Sequence, residues 1–496
     1  MKGPSWSDVG LIAGVPAVLA VVPGGLALVN DAERVAAGFG ACALASVVVA
    51  LLLRCCPKAT ERSTGSLLAT MAVAWLVVPL IGALPFAVAW SGDGWSVRVW
   101  VDACFESMSG FTSCGLTIVA SPSELPESLQ LWRSLTQWVG GIGVAAVMLA
   151  ALNPAVDAGK LIRAEVGHVL QGGPKKAARW MWSIYSAATG LAIVVFWALG
   201  MPLWEALNHG LTATSTGGFT VTDDSLASYT PAIQLSATLF MLFGAISFGY
   251  YYRVLADRRV RALRSPVVAL LLIGSALAAL ALIGVGQLGD DPVAPDAVVA
   301  WFEVASAVAT GGFGIADLST WSPALLALLG LCMFVGGASG STAGGVKLDR
   351  VVLIARGVWW RLRRDLTLAE PERVVVVDRE RLLEGEARLR VEAAATLVAV
   401  WVATLGIATF VLWTFTSDQA TLSHVAFEAV SALSSVGLSA GVTAPDLHAG
   451  GKLTLAALMW LGRLEVFAGL FLVMHTIRWP LGRIVRVTPF LARDED

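Results

Sequence analysis

Apolar stretches long enough to cross a lipid bilayer recur ten times along the 496-residue chain, and they restrict its fold more than any other feature. A helix spanning about 30 Å of hydrocarbon needs about 20 predominantly apolar residues. Such stretches lie near residues 8–29, 35–54, 66–90, 129–151, 181–200, 231–252, 266–286, 323–345, 391–413 and 452–477. With 56% hydrophobic and 14% charged residues and a mean hydropathy of +0.73, the chain reads as an all-α membrane protein with ten transmembrane helices. The first stretch follows only Lys2 and has no clear cleavage pattern, so it is expected to be a retained helix rather than a signal peptide. The six cysteines (Cys42, Cys55, Cys56, Cys104, Cys114 and Cys332) are scattered, which implies neither a disulfide framework nor a metal site. No nucleic-acid partner is suggested; the lipid bilayer is the partner that composition implies.

Basic residues give the orientation. Five regions, around residues 54–62, 160–179, 253–264, 347–390 and 478–493, hold 28 of the 34 Lys and Arg. By the positive-inside rule these regions and both termini are cytoplasmic. The opposite loops are acidic, with Asp223, Asp224, Asp290 and Asp291 among them. These acids either raise the local cation concentration or form an ordinary solvated loop. Four shorter amphipathic pieces, near 99–112, 202–214, 298–309 and 421–434, then fall on the outer side and are expected to be re-entrant.

Those four pieces repeat one another. Their ends read "FESMSGFTSCGLT" (105–117), "LNHGLTATSTGGF" (207–219), "FEVASAVATGGFG" (302–314) and "FEAVSALSSVGLS" (427–439). Aligned on their first residues, all four place a glycine at the same position (Gly115, Gly217, Gly312, Gly437) and a hydroxyl residue two places before it (Ser113, Ser215, Thr310, Ser435). Helix ends inside a membrane leave polar backbone that lipid does not tolerate, unless it lines protein or a water-filled path. Glycine lets such a turn bring carbonyl oxygens close to a ligand. Four turns around one axis would then form a carbonyl filter replacing a cation's hydration shell. The expected filter residues are Ser113, Cys114, Gly115, Ser215, Thr216, Gly217, Thr310, Gly311, Gly312, Ser435, Val436 and Gly437. For any one patch alone, helix packing through small residues is the simpler reading. Glu106, Glu303 and Glu428, with Asn208 in place of the acid in the second repeat, are expected to anchor the short helices by hydrogen bonds to filter amides.

An open cation path would dissipate the membrane potential, so a gate is expected. The span from 323 is interrupted by "GGASGSTAGG", whose glycines an ordinary helix would not tolerate. An unwound loop below the filter would use Gly336, Gly337, Ser339, Gly340, Ser341, Thr342, Gly344 and Gly345; the alternative is a GxxxG packing face. Arg463 lies eleven residues after Lys452, deep within the last span. It cannot be neutralised by Glu465, two positions away on the same helix. Its partners are expected on other segments, either as a barrier beside the cation path or as a structural tie.

At these segments the chain resembles the Trk/Ktr/HKT superfamily of potassium transporters and, within it, the TrkH-like subunits. The resemblance rests on "SGFTSCGLT", "LWRSLTQWVGGIGV", "STGGF", "MFVGGASGSTAGGVK" and "GKLTLAALMWLGRLEVF", and it covers nearly the whole chain. The extra helical pair at the start and "GRLE" at 462–465 favour TrkH-like over Ktr-type subunits. The resemblance implies potassium uptake without an organic cofactor, with potassium ion held at the filter residues. It also implies four pseudo-fourfold repeats forming one pore per chain, a homodimer in the plasma (inner) membrane, and a cytosolic nucleotide-binding, TrkA-like regulatory subunit. A glycine in all four filter segments resembles the potassium-selective members. The organisation expected is an N-terminal helical pair (1–60), pore repeats at 61–155, 156–257 and 258–365, a cytosolic linker (366–390), and a fourth repeat with a cytosolic tail (391–496). Residues 347–390 carry an amphipathic stretch and a short strand at 374–377, either a docking surface for the regulator or anchoring at the lipid surface. A pore that also passes sodium and an ion-coupled symporter stay open. An enzyme is not expected, since the spans hold no catalytic or metal constellation.

Overall fold

Residues 4–30, 32–56, 64–92, 94–151, 174–255, 265–288, 294–366, 374–377, 380–416, 420–466, 469 and 472 are described by the structure, a computed structural model. The expected acids Asp290 and Asp291, and half of the 28 basic residues used for orientation, lie outside them. The helices run in chain order as α1 (Trp6–Val29), α2 (Glu33–Arg54), α3 (Gly65–Trp90), α4 (Val97–Phe111), α5 (Glu127–Ala151), α6 (Pro174–Ala198), α7 (Leu203–Thr214), α8 (Pro231–Ala245), α9 (Phe248–Leu255), α10 (Pro266–Leu288), α11 (Ala297–Ala309), α12 (Pro323–Val335) and α13 (Leu348–Leu366). An antiparallel hairpin follows, β1 (Val374–Val377) with β2 (Glu380–Leu383), in which Val374 pairs with Leu383. The described chain continues as α14 (Glu384–Trp413), α15 (Leu422–Leu433) and α16 (Ala449–Arg463).

Among the described residues six helices (α1, α2, α3, α6, α10 and α14) are long and apolar enough to cross a membrane, and α8 with α9 makes a bent seventh. This is an all-helical membrane protein with a small hairpin attached. Local sequence sets the starts of the short helices. The Ser96 hydroxyl accepts from the Val99 amide, Asp296 accepts from the Val298 and Val299 amides, and Thr421 and His424 form a reciprocal capping box. Helices α4, α7, α11 and α15 have only 15, 12, 13 and 12 residues. At 1.5 Å per residue they reach roughly 18–22 Å, short of a bilayer.

Three apolar clusters pack the helices around the four short ones. One joins α6, α8, α10, α11 and α12, with Met241, Phe302, Phe313 and Leu329 fully buried. A second joins α3 and α4 to α14, α15 and α16. The third seats α1 and α2 on α3, α4 and α5, where Phe39 meets the edge of Trp132 at 5.5 Å between ring centres. The N-terminal pair is therefore packed onto the first repeat.

Three expected spans are broken. The 231–252 segment turns by 91° between α8 and α9. The segment from 323 stays helical only to Val335, and residues 336–347 form an irregular loop with positive φ at Gly336, Gly340, Gly345 and Lys347, which excludes a helical GxxxG face. Helix α16 ends at Arg463, with Glu465 and Val466 at φ of 55° and 64°. The broken ends satisfy one another. The Gly244 and Ala245 carbonyls freed at the end of α8 accept from the Thr342 (3.1 Å) and Ala338 (2.9 Å) amides of the loop, and the Phe248 amide starting α9 donates to Gly340 O at 3.0 Å.

Candidate functional site: a ring of four backbone turns

The short helices α4, α7, α11 and α15 end in the same way. After each, one amide bonds the carbonyl three residues back and the next bonds the carbonyl five back, the two bonds of a Schellman turn. The pairs are Ser113 to Gly110 and Cys114 to Ser109, Thr216 to Ala213 and Gly217 to Thr212, Thr310 to Ala307 and Gly311 to Ser306, and Ser435 to Ala432 and Val436 to Ser431. The left-handed residue of each turn is a hydroxyl residue, Ser113, Thr216, Thr310 or Ser435, with φ between 51° and 53°. Two residues on, Gly115, Gly218, Gly312 and Gly437 have φ of 94°, 79°, 76° and 100°.

These glycines close a ring. An ideal Cβ on Gly115 would lie 2.2 Å from the Gly217 carbonyl oxygen, on Gly218 2.8 Å from Gly311 O, on Gly312 2.3 Å from Val436 O, and on Gly437 2.3 Å from Cys114 O. Each repeat thus presses its glycine on the middle carbonyl of the next, and the fourth returns to the first. Cβ atoms essentially never approach that closely, so the positions require glycine sterically as well as by φ.

The second repeat enters this ring one residue later than its sequence alignment suggests. Its turn is Thr216, Gly217 and Gly218, whereas Ser215 occupies the right-handed position preceding it. The Gly217–Gly218 doublet allows both alignments. The deciding signal is in the sequence: "TGGF" at 216–219 matches "TGGF" at 310–313 letter for letter. The same shift puts His209, not Asn208, in the place of the glutamates. Asn208 instead bonds Ser134 and the Trp204 carbonyl.

The three glutamates are fully buried and hold the chain just beyond the ring. Glu106 accepts from Thr117 Oγ1 (2.8 Å) and the Ile118 amide, Glu303 from the Ile315 (2.7 Å) and Ala316 amides, and Glu428 from Ser439 Oγ and the Ala440 and Thr443 amides. Helix α5 adds two residues that the sequence pattern did not single out. Arg133 pairs with Glu106 at 2.8 Å, and Gln137 donates to the Gly217 carbonyl at 2.6 Å.

The glycine-rich loop lies against the ring's inner turns. The Gly344 amide donates to Thr310 Oγ1 at 2.8 Å, the Gly345 amide to Ser434 O at 3.0 Å, and Thr216 Oγ1 to Thr342 Oγ1 at 3.1 Å. Arg463 reaches the same loop from α16. Its guanidinium donates to Thr342 O (3.2 Å), Gly141 O (2.8 Å) and Gly140 O, so its partners lie on two other repeats. Glu465 pairs instead with Arg350 at 2.5 Å, and Lys347 donates to Ala343 O. Of the outer acids, Asp223 accepts from the amide and hydroxyl of Ser123, tying the loops of the first two repeats.

A family model described as TrkH, cation transport protein, matches residues 35–480. Among curated relatives, a Trk system potassium uptake protein TrkH of Halomonas elongata is 33% identical over 62% of this chain and 64% of its own length, just under two thirds. An uncharacterized cation transporter of Methanocaldococcus jannaschii is 28% identical over 81% of this chain and 80% of its own, and the Salmonella typhimurium TrkH is 29% identical over 81% and 83%. The crystal structure of the potassium transporter TrkH from Vibrio parahaemolyticus superposes with a TM-score of 0.79 over 94% of this chain and 98% of that one; at 23% identity it speaks to the fold alone. These proteins are transporters and not enzymes. With a family model spanning most of its length, and a fold shared with a solved member, this chain belongs to the TrkH family of cation transport proteins.

Proposed function

We propose that the chain is the membrane-embedded, potassium-translocating subunit of a Trk-type uptake system. The observation that carries this reading is the closed ring in which each repeat's glycine meets the middle carbonyl of the next. Carbonyl oxygens so arranged replace the hydration shell of a dehydrated cation, and the helix C-termini behind them add negative potential. The cation is potassium, as the names of the relatives suggest. It is the transported substrate, and no organic cofactor takes part. The ion-facing backbone is that of Ser113, Cys114, Gly115, Thr216, Gly217, Gly218, Thr310, Gly311, Gly312, Ser435, Val436 and Gly437, with Ser215 just behind it.

In this reading α5, α8 with α9, α12 and α16 are the inner helices of four pseudo-fourfold repeats, giving ten transmembrane helices and four re-entrant pore helices. The repeats occupy 61–155, 156–257, 258–365 and 391–496, after an N-terminal pair in 1–60 and with a cytosolic linker at 366–390. The gate is the 336–345 loop together with Arg463, which places a fixed positive charge in the cation's way. The protein works as a homodimer in the plasma membrane with both termini cytoplasmic, and a cytosolic nucleotide-binding subunit docks on α13 and the hairpin.

The test is potassium flux into vesicles containing the purified full-length chain, compared with Gly312→Ala. That substitution puts a methyl group 2.3 Å from the Val436 carbonyl oxygen at a φ of 76°. Flux is expected to fall by at least about ten-fold, the effect of ~1.4 kcal/mol on a rate-limiting barrier. Unchanged flux in a folded variant would take the ring out of the conduction path.

A further inference from the structure

The second repeat lacks the anchor that the other three share. Its His209 stands where they carry glutamate and is fully buried, and among the described residues neither ring nitrogen bonds a backbone amide beyond the ring. It packs edge-on against Tyr229 and Phe313 at 5.8 and 6.0 Å between ring centres. Its own pore helix holds the chain beyond Gly218 farther on, where Tyr229 donates to Glu205, and leaves the stretch at residues 219–220 without a carboxylate anchor.

Helix α5 of the first repeat holds it. Gln137 Oε1 accepts from the Phe219 amide at 3.0 Å while its Nε2 donates to the Gly217 carbonyl at 2.6 Å. One turn earlier, Arg133 donates to the Thr220 carbonyl at 2.8 Å, and its guanidinium lies over the Phe219 ring, 4.1 Å from the centroid. Residues 133 and 137 share one face of a helix, so together they grip residues 217, 219 and 220. The same guanidinium bonds Glu106 and Thr117 Oγ1 of the first repeat. A buried arginine costs several kcal/mol when unpaired, and Glu106 offsets that.

Resting on the pore reading above, we propose that Arg133 and Gln137 are positioning residues that set the second repeat's quarter of the ring across the repeat boundary and thereby tune ion selectivity. Gln137 engages a lone pair of the Gly217 oxygen, so this carbonyl is a weaker and more fixed ligand than one free to turn toward the ion. The ring's selectivity then depends on two side chains of the neighbouring repeat.

The test measures the potassium-to-sodium permeability ratio of the full-length chain in planar bilayers. Gln137→Met removes both hydrogen bonds at similar volume; Arg133→Lys keeps the charge beside Glu106, and with it the fold, but loses the planar fork. Each is expected to lower the ratio by about ten-fold, the factor that ~1.4 kcal/mol of differential ion stabilisation represents. His209→Glu added to Gln137→Met is expected to recover part of the ratio by restoring a carboxylate to the second repeat, which a merely structural role for Gln137 would not produce. Wild-type ratios in both single variants, in protein that conducts, would overturn the proposal. Absence of any cation current in the wild type would overturn instead the pore reading beneath it.

Discussion

Four residues with side chains sit where glycine would be easiest. A left-handed conformation costs a non-glycine residue roughly 1–2 kcal/mol, yet Ser113, Thr216, Thr310 and Ser435 all adopt it. The paired Schellman bonds impose the conformation, and three of the hydroxyls are used: Ser113 Oγ donates to the Gln137 carbonyl, and Thr216 and Thr310 meet the glycine-rich loop. The strain is sustained by its surroundings, as expected where function depends on a fixed backbone. The buried carboxylates allow a prediction at the same scale. Glu303→Ala leaves the Ile315 and Ala316 amides without their acceptor, at about 1–3 kcal/mol each, whereas Glu303→Gln keeps an acceptor oxygen. Thermal unfolding in detergent should show a large loss of stability for alanine and a much smaller one for glutamine; equal losses would mean that the carboxyl group does not hold this segment. The hydroxyl-x-glycine pattern was legible because backbone geometry demands particular residue types there. The register of the second repeat is harder to read, because consecutive glycines satisfy that demand in two ways; the match of "TGGF" at 216–219 to 310–313 favours the alignment that packing against Gly311 and Gln137 fixes.

At the scale of elements, the broken helices matter most. The loop at 336–345 was readable from its glycines, since no helix interior would carry so many. The 91° break between α8 and α9 was not, because "FMLFGAISFGYYY" is apolar throughout and periodicity alone carries no sign of a turn. The break is tertiary in origin: the carbonyls that α8 leaves free are taken by loop amides from another repeat. At the end of α16 the Arg463 side chain is aimed at carbonyls of α5 and of the loop. Arg463 therefore ties the loop to two inner helices, and Arg463→Ala should release it. Potassium flux measured without any regulatory partner is expected to rise in this variant. A fall, in protein that still folds, would show that Arg463 supports the path rather than closing it.

Taken as a whole, the molecule wraps four similar units around one ring, with an added helical pair packed on the first unit through Phe39 and Trp132. Hydropathy was sufficient to place most spans, because lipid tolerates few alternatives to an apolar helix. The units are alike in backbone and unlike in support: carboxylates brace three turns, and a neighbouring helix braces the fourth. That inequality is compatible with a common ion path, since the ring presents carbonyl oxygens whatever the side chain, whether Cys114, Gly217, Gly311 or Val436 occupies the middle position. The most direct test of this account is the reversal potential of current through a planar bilayer that holds the purified chain between potassium and sodium solutions sharing one anion. A potential close to the potassium equilibrium value is the result predicted for a carbonyl ring acting as the filter. No cation current under any applied voltage, or a reversal set by the anion or by protons, would contradict it.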